Sequence, residues 1–225
     1  MSKAVPTLLS FNGGYVDAAG FLALAGLFTA HVTGNFVTLG ASLVLGTSGT
    51  IGKLLALPVF CVVVMLTRLI GSSLQKHGAR ELRWLLILKF VLLTAGCASA
   101  IYFGPFADAD APQALLTGML LVAGMAVQNA VHRIHLSATP PSTLMTGTTT
   151  QIMIDVADLL HGGPGEAHQQ AKARLSRMLG AVLAFALGCG AAALLYAYAG
   201  LWAFIVPPLV ALIAVLLKET DGHPS

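Results

Sequence analysis

Trp84-Leu85-Leu86-Ile87-Leu88-Lys89-Phe90-Val91-Leu92-Leu93-Thr94-Ala95-Gly96-Cys97-Ala98-Ser99-Ala100-Ile101-Tyr102-Phe103 is a run of twenty residues carrying one charge. As a helix it rises about 30 Å, the thickness of a bilayer's hydrocarbon core. Runs of similar character lie outward at 54–75, 177–199 and 201–217. Two longer apolar regions, 8–46 and 113–160, exceed one crossing and are interrupted by polar, Gly- and Thr-rich segments. The whole chain is 56% hydrophobic and 9% charged, with mean hydropathy +0.83. A soluble domain carries about 25% charged residues, so a water-soluble fold is excluded. The expectation is an all-α polytopic membrane protein of about six transmembrane helices, folded as one membrane domain over residues 1–225 with the bilayer as its first partner. A net charge of +3 gives no reason to expect a nucleic-acid partner.

The two interruptions are alike. The first reads Thr29-Ala30-His31-Val32-Thr33-Gly34-Asn35 and the second Pro140-Pro141-Ser142-Thr143-Leu144-Met145-Thr146-Gly147-Thr148. Each is followed by an apolar stretch of about 12 residues, which as helix reaches only about 18 Å. Such a stretch is one half of a broken span or the helical limb of a re-entrant loop. Upstream, Gly13-x-x-x-Asp17 corresponds to Gly124-x-x-x-Gln128, and downstream the run from Phe60 to Gly71 corresponds to that from Phe185 to Ala192. Two halves, 8–103 and 113–217, are therefore expected, each a broken element followed by two plain spans. Three spans per half is an odd number, so the halves form a 3+3 inverted repeat.

Charge placement gives the topology. With the N-terminus in the cytoplasm, Lys3, Lys76, Arg80, Arg83, Lys172, Arg174, Arg177 and Lys218 lie inside, whereas Lys53 lies outside with Asp108 and Asp110. The positive-inside rule favours this arrangement, with both termini cytoplasmic. Lys3 ahead of an apolar stretch imitates a signal peptide, but Asn12, Gly13, Gly14 and Asp17 interrupt it and the segment is read as a retained first span. Cys61, Cys97 and Cys189 fall singly in separate runs and are read as small apolar residues.

Non-helical backbone at membrane depth is tolerated only where protein or water covers it, so the breaks should face the interior. A helix N-terminus offers free N–H groups and partial positive charge. Two such ends brought from opposite sides would bind an anion or neutral hydrogen-bond acceptor. The candidate binding residues are Asp17, His31, Thr33, Gly34, Asn35, Gln128, Asn129, Thr146, Gly147 and Thr148. Asp17 is an intramembrane acid and a functional candidate on that ground. Lys89 is expected to snorkel to the surface, as is Arg68, for which pairing with Asp17 or Asp155 is the alternative. Asp158 is expected at the cytoplasmic rim, and Asp155 shares its helix face. His132, Arg133 and His135 are read as part of the second interruption, solvated near the cytoplasmic surface. Asp17 and His31 are judged too far apart along the chain to form a dyad. No nucleophile–base pair, metal-ligand spacing or phosphate-cradling loop stands out, so no catalytic residue, metal or cofactor is expected.

With these residues in view, the chain resembles the YoaK-like family of uncharacterised bacterial integral membrane proteins. The resemblance is carried by Gly14-Tyr15-Val16-Asp17-Ala18, Ala30-His31-Val32-Thr33-Gly34-Asn35, Gln128-Asn129-Ala130 and Thr146-Gly147-Thr148. It implies a bacterial inner-membrane protein and brings no substrate. The function expected is a transporter or channel for a small polar or anionic solute; the alternatives are a structural or regulatory membrane protein without transport and, after it, an intramembrane enzyme. Small residues such as Gly188, Gly190 and Ala191 also permit a homo-oligomer.

Overall fold

The computed structural model describes residues 4–220 apart from Ala79 and 163–165, and omits the side chains of Glu166, Ala167 and 218–220. Lys3 and the side chain of Lys218 thus lie outside the described residues. The chain forms α1 (Ala4–Ala23), a 3-10 turn (Val32–Gly34), α2 (Asn35–Leu45), α3 (Thr50–Lys76), α4 (Glu81–Phe103), α5 (Pro112–His135), α6 (Met145–His161), α7 (Glu166–Ala199), a second 3-10 turn (Gly200–Ile205) and α8 (Val206–Thr220). Among the described residues there is no strand. Leu43, Val62, Leu69, Leu183, Leu194 and other large apolar side chains point outward over the bundle surface. So broad an apolar surface is untenable in water and fits lipid.

Four stretches are long and apolar enough to cross a bilayer: Thr50–Lys76, Glu81–Phe103, Pro112–His135 and His168–Leu217. The last contains 50 residues and is divided at Gly200, whose φ of 56° is left-handed. Of the four, α5 is the most enclosed and α3 the least. Two shorter helices, α2 and α6, follow the two interruptions. Helices α2 and α6 have 11 and 17 residues, so they rise roughly 17 and 26 Å; α6 is longer than its apolar stretch suggested.

The packing pairs fall into a pattern. α1 lies along α7 and α5 along α3; α4 lies along α5 and α8 along α1; α2 rests on α3 and α6 on α7. Glycines set the closest contacts. A Cβ on Gly14 would run into the Phe185 carbonyl, and one on Gly188 into the Phe11 carbonyl, so α1 and α7 meet backbone to backbone. Gly96 receives Leu121 and Gly124 receives Leu93, which locks the antiparallel register of α4 and α5.

Long-range contacts define the two ends. The Asp110 carboxylate, in the α4–α5 turn, accepts hydrogen bonds from the N–H groups of Gly49, Thr50, Ile51 and Gly52 at 2.8–3.4 Å. It thereby serves donors that the start of α3 leaves unpaired. At the other end His135 meets Glu81, and Thr7 shares a cleft with Thr139 and Arg177. Lys76, Arg83, Arg133, Lys172, Arg174 and Arg177 gather around that second, basic end, while Asp108, Asp110 and Lys53 mark the first, acidic end.

Several sequence expectations are corrected. Lys89 does not snorkel: it is 1% exposed and its Nζ has no hydrogen-bond partner among the described residues. It sits on the face of α4 that α5 covers, too far from either end to reach water. His132, Arg133 and His135 belong to the last turns of α5 rather than to the interruption. His132 is buried and Arg133 is exposed. Asp155 is fully buried, where the guanidinium of Arg174 and the amide of Gln151 hold it; Asp158 is exposed as expected. Arg68 is exposed.

Candidate functional site

The site is built where α1 hands the chain to the first break. Residues 24–31 fold back along α1, and the Asp17 carboxylate collects their donors. Its Oδ1 accepts from the N–H of Thr29 and of Ala30, both at 2.7 Å, and from the Thr29 hydroxyl at 3.3 Å. Its Oδ2 lies 2.6 Å from His31 Nδ1. The dyad judged unlikely from the sequence therefore exists, because the loop reverses direction and cancels the helical turns between the partners. Phe185 meets the imidazole edge-on, with ring centroids 5.3 Å apart, and Phe28 closes another side.

The second break is held in the same manner. Gln128 Nε2 donates to the Ser142 hydroxyl at 3.1 Å and to the Leu9 carbonyl at 2.8 Å. The Thr143 hydroxyl donates to Asn129 Oδ1 at 2.6 Å. Asp17 to His31, Gln128 to Ser142 and Asn129 to Thr143 are all separations of 14 residues. Gly13 makes room for the loop, since a Cβ there would press on the Ser142 carbonyl at 2.9 Å.

Two cavities approach this junction. One, of about 700 Å³, is lined by Asp17, Phe28, His31, Thr33, Phe185 and Cys189, and lies toward the acidic end. The other, of about 390 Å³, is lined by Phe60, Val64, Asn129, His132, Arg133 and Ser142, and lies toward the basic end. The first is walled by α1, the first break and α7; the second by α5, the second break and α3. His31 lines the first and Ser142 the second. The first cavity is aromatic with one acid–base pair. The second carries a guanidinium, an imidazole, an amide and hydroxyls, the groups that hold an anion or a polar solute.

The remaining expected site residues have other places. Asn35 is buried and its amide is spent on the Phe28 backbone: Nδ2 donates to the carbonyl at 2.7 Å, and Oδ1 accepts from the N–H at 2.9 Å. Thr33 is exposed and lines the first cavity beside Gly34. Thr146 lines a separate outer groove on α6, Gly147 has open space around it, and the buried Thr148 hydroxyl donates to its own helix at Leu144. Neither motif caps its helix through a side chain. The two Thr-Gly segments thus line different cavities. Sequence reasoning passed over Thr29, Phe185 and Cys189 as site residues. The matching order of the runs beginning at Phe60 and Phe185 was the available signal for Phe185 and Cys189, and Thr29 opens the first interruption itself.

These features define an all-helical, multi-pass membrane protein. The chain belongs to the family described as "Protein of unknown function (DUF1275)", which matches residues 5–217. It is 30% identical over 157 residues to the UPF0700 transmembrane protein YoaK of Bacillus subtilis (strain 168), covering 68% of this chain and 67% of that protein. No solved structure matches.

Proposed function

We propose that this protein is a carrier for a small polar or anionic solute, residing in the bacterial inner membrane with both termini cytoplasmic. In this reading one membrane domain comprises two inverted halves, 8–103 and 113–217. Helices α1, α3, α4, α5, α7 and α8 cross the bilayer, while α2 and α6 are re-entrant. The matched packing pairs and the repeated 14-residue spacing support the repeat. The observation that carries the transport reading is the pair of cavities with equivalent walls, each lined by one of the two breaks, which in this reading form the partition between them. Alternating opening of one cavity and then the other moves a solute past that partition. Arg133, His132, Asn129 and Ser142 make the basic-end cavity the one that selects for negative or polar groups. Asp17, His31, Thr33 and Gly34 are the residues that meet the solute beyond the partition.

The test is uptake of a panel of small anions and polar solutes into proteoliposomes of the purified protein. Ala193→Phe and Ser137→Trp each narrow one cavity from an exposed position. Each is expected to reduce flux about tenfold or more at normal membrane insertion. Undiminished flux in both variants, or a panel that the wild type ignores entirely, overturns the proposal.

A further inference from the structure

The α1–α7 contact is tight where Gly14 meets the Phe185 carbonyl and Gly188 meets the Phe11 carbonyl, and it opens toward the basic end. There a cleft of about 220 Å³ lies between Thr7 and Ser10 of α1, Thr139 of the second break, and Ser176, Arg177 and Gly180 of α7. Four of these residues carry a hydroxyl and one a guanidinium, and no residue lining the cleft is acidic. The cleft is separate from the two cavities described above and shares only Thr139 with them.

Two side chains on its walls point to an anionic ligand. Ser10 is 1% exposed, and its hydroxyl has no hydrogen-bond partner among the described residues. A buried hydroxyl left without a partner is costly, and a ligand oxygen in the cleft satisfies it. Arg177 is the second. Arg174, one turn earlier, is committed to the Asp155 carboxylate, whereas among the described residues no ion pair engages Arg177. A guanidinium beside several hydroxyls is a donor set suited to a phosphate, whose oxygens accept from all of them.

The surface beyond the cleft favours a lipid over a soluble phosphate. Counted from Ser176, residues 179, 180, 183 and 187 fall on one face of α7. Gly180 has open space around it, and Leu179, Leu183 and Leu187 are exposed. This apolar strip starts at the cleft and runs away from the basic end, the direction that an acyl chain takes from its headgroup into the bilayer.

We propose that the cleft binds an anionic phospholipid, with its phosphate between Arg177 and the Ser10 hydroxyl and one acyl chain on Leu179, Leu183 and Leu187. Basic clefts between membrane helices suit such headgroups. Thr139 also lines the basic-end cavity, so an occupied cleft steadies one wall of that cavity. No transported solute is involved, and the site stands independently of the carrier reading.

Native mass spectrometry of the full chain in uncharged detergent tests this, with phosphatidylglycerol, zwitterionic phosphatidylcholine and inorganic phosphate as probes. Wild type is expected to retain one phosphatidylglycerol in preference to phosphatidylcholine. Arg177→Gln should weaken that binding about tenfold and Ser10→Ala about threefold, the loss of a charge-assisted and of a neutral hydrogen bond. Lys76→Gln removes an exposed cation at the same end and should leave binding unchanged. The lipid-free unfolding midpoint of Ser10→Ala should match wild type, because the hydroxyl bonds nothing within the described chain; a lowered midpoint assigns it to the fold and overturns its part in the site. Equal retention in wild type, Arg177→Gln and Ser10→Ala overturns the proposal. An equal loss in Lys76→Gln does so too, since the attraction then belongs to the whole basic end. Displacement of the lipid by inorganic phosphate at matched concentration makes the ligand a soluble anion and overturns the lipid assignment.

Discussion

Asp17 shows how one side chain organises a membrane-buried turn. Reversal of the chain after Ala23 leaves backbone N–H groups with no helix to serve, and Asp17 Oδ1 accepts from two of them at 2.7 Å. Asp17→Ala is expected to destabilise the protein by about 3 kcal/mol, because buried donors are left unsatisfied. Asp17→Asn should cost less, since an amide oxygen remains. Thermal unfolding in detergent compares the two, and equal midpoints for wild type and the Ala variant would show the carboxylate to be dispensable to the fold. Asp17 was legible as important because acids in apolar runs are rare. Its partner was not legible: a 14-residue separation becomes a contact only when a loop reverses. Asn35 shows the opposite case, a polar residue read as a ligand group whose both ends are consumed by backbone. Gly34 and Gly147 also part company. A Cβ at Gly34 comes within 3.0 Å of the Phe28 ring, whereas Gly147 faces open space. Equivalent places in a sequence pattern do not guarantee equivalent surroundings.

At the scale of elements, the α1–α7 contact has the least slack. Lipid supplies no hydrophobic drive between helices, so close packing of small residues substitutes for it. Gly14→Ala and Gly188→Ala each drive a methyl group toward a backbone carbonyl that cannot step aside. Each is expected to cost about 2 kcal/mol or more, seen as a lowered unfolding midpoint. Gly180→Ala and Gly190→Ala, where nothing lies nearby, should be neutral or gain up to about 1 kcal/mol from helix propensity. A flat response across all four would mean that the helices do not approach as described. The sequence marked these runs as rich in small residues. It did not distinguish a glycine facing a helix from one facing lipid, because both have the same composition around them. Helix α6 exceeds its apolar stretch because it begins at Met145 and takes Thr146-Gly147-Thr148 into its first turn. Farther along, Asp155 pairs with Arg174 of α7, and that tertiary partner lets the helix carry an acid.

For the whole molecule, charge asymmetry makes a prediction about sidedness. Asp108 and Lys76 are both exposed and lie at opposite ends. In cells expressing single-cysteine variants, Asp108→Cys should react with a membrane-impermeant maleimide from outside. Lys76→Cys should react only after permeabilisation. Labelling of both from one side would overturn the six-crossing arrangement. What the sequence determined by itself was membrane residence, the helical class, the two breaks and the end that gathers basic residues. These follow from composition and from the order of apolar and polar runs, which act locally and are written along the chain. The tertiary structure alone decided that Asp17 meets His31, that Lys89 is enclosed rather than snorkelling, and that each break lines a cavity of its own. Each of these depends on which helix faces are brought together, and that is settled by packing between residues far apart in sequence.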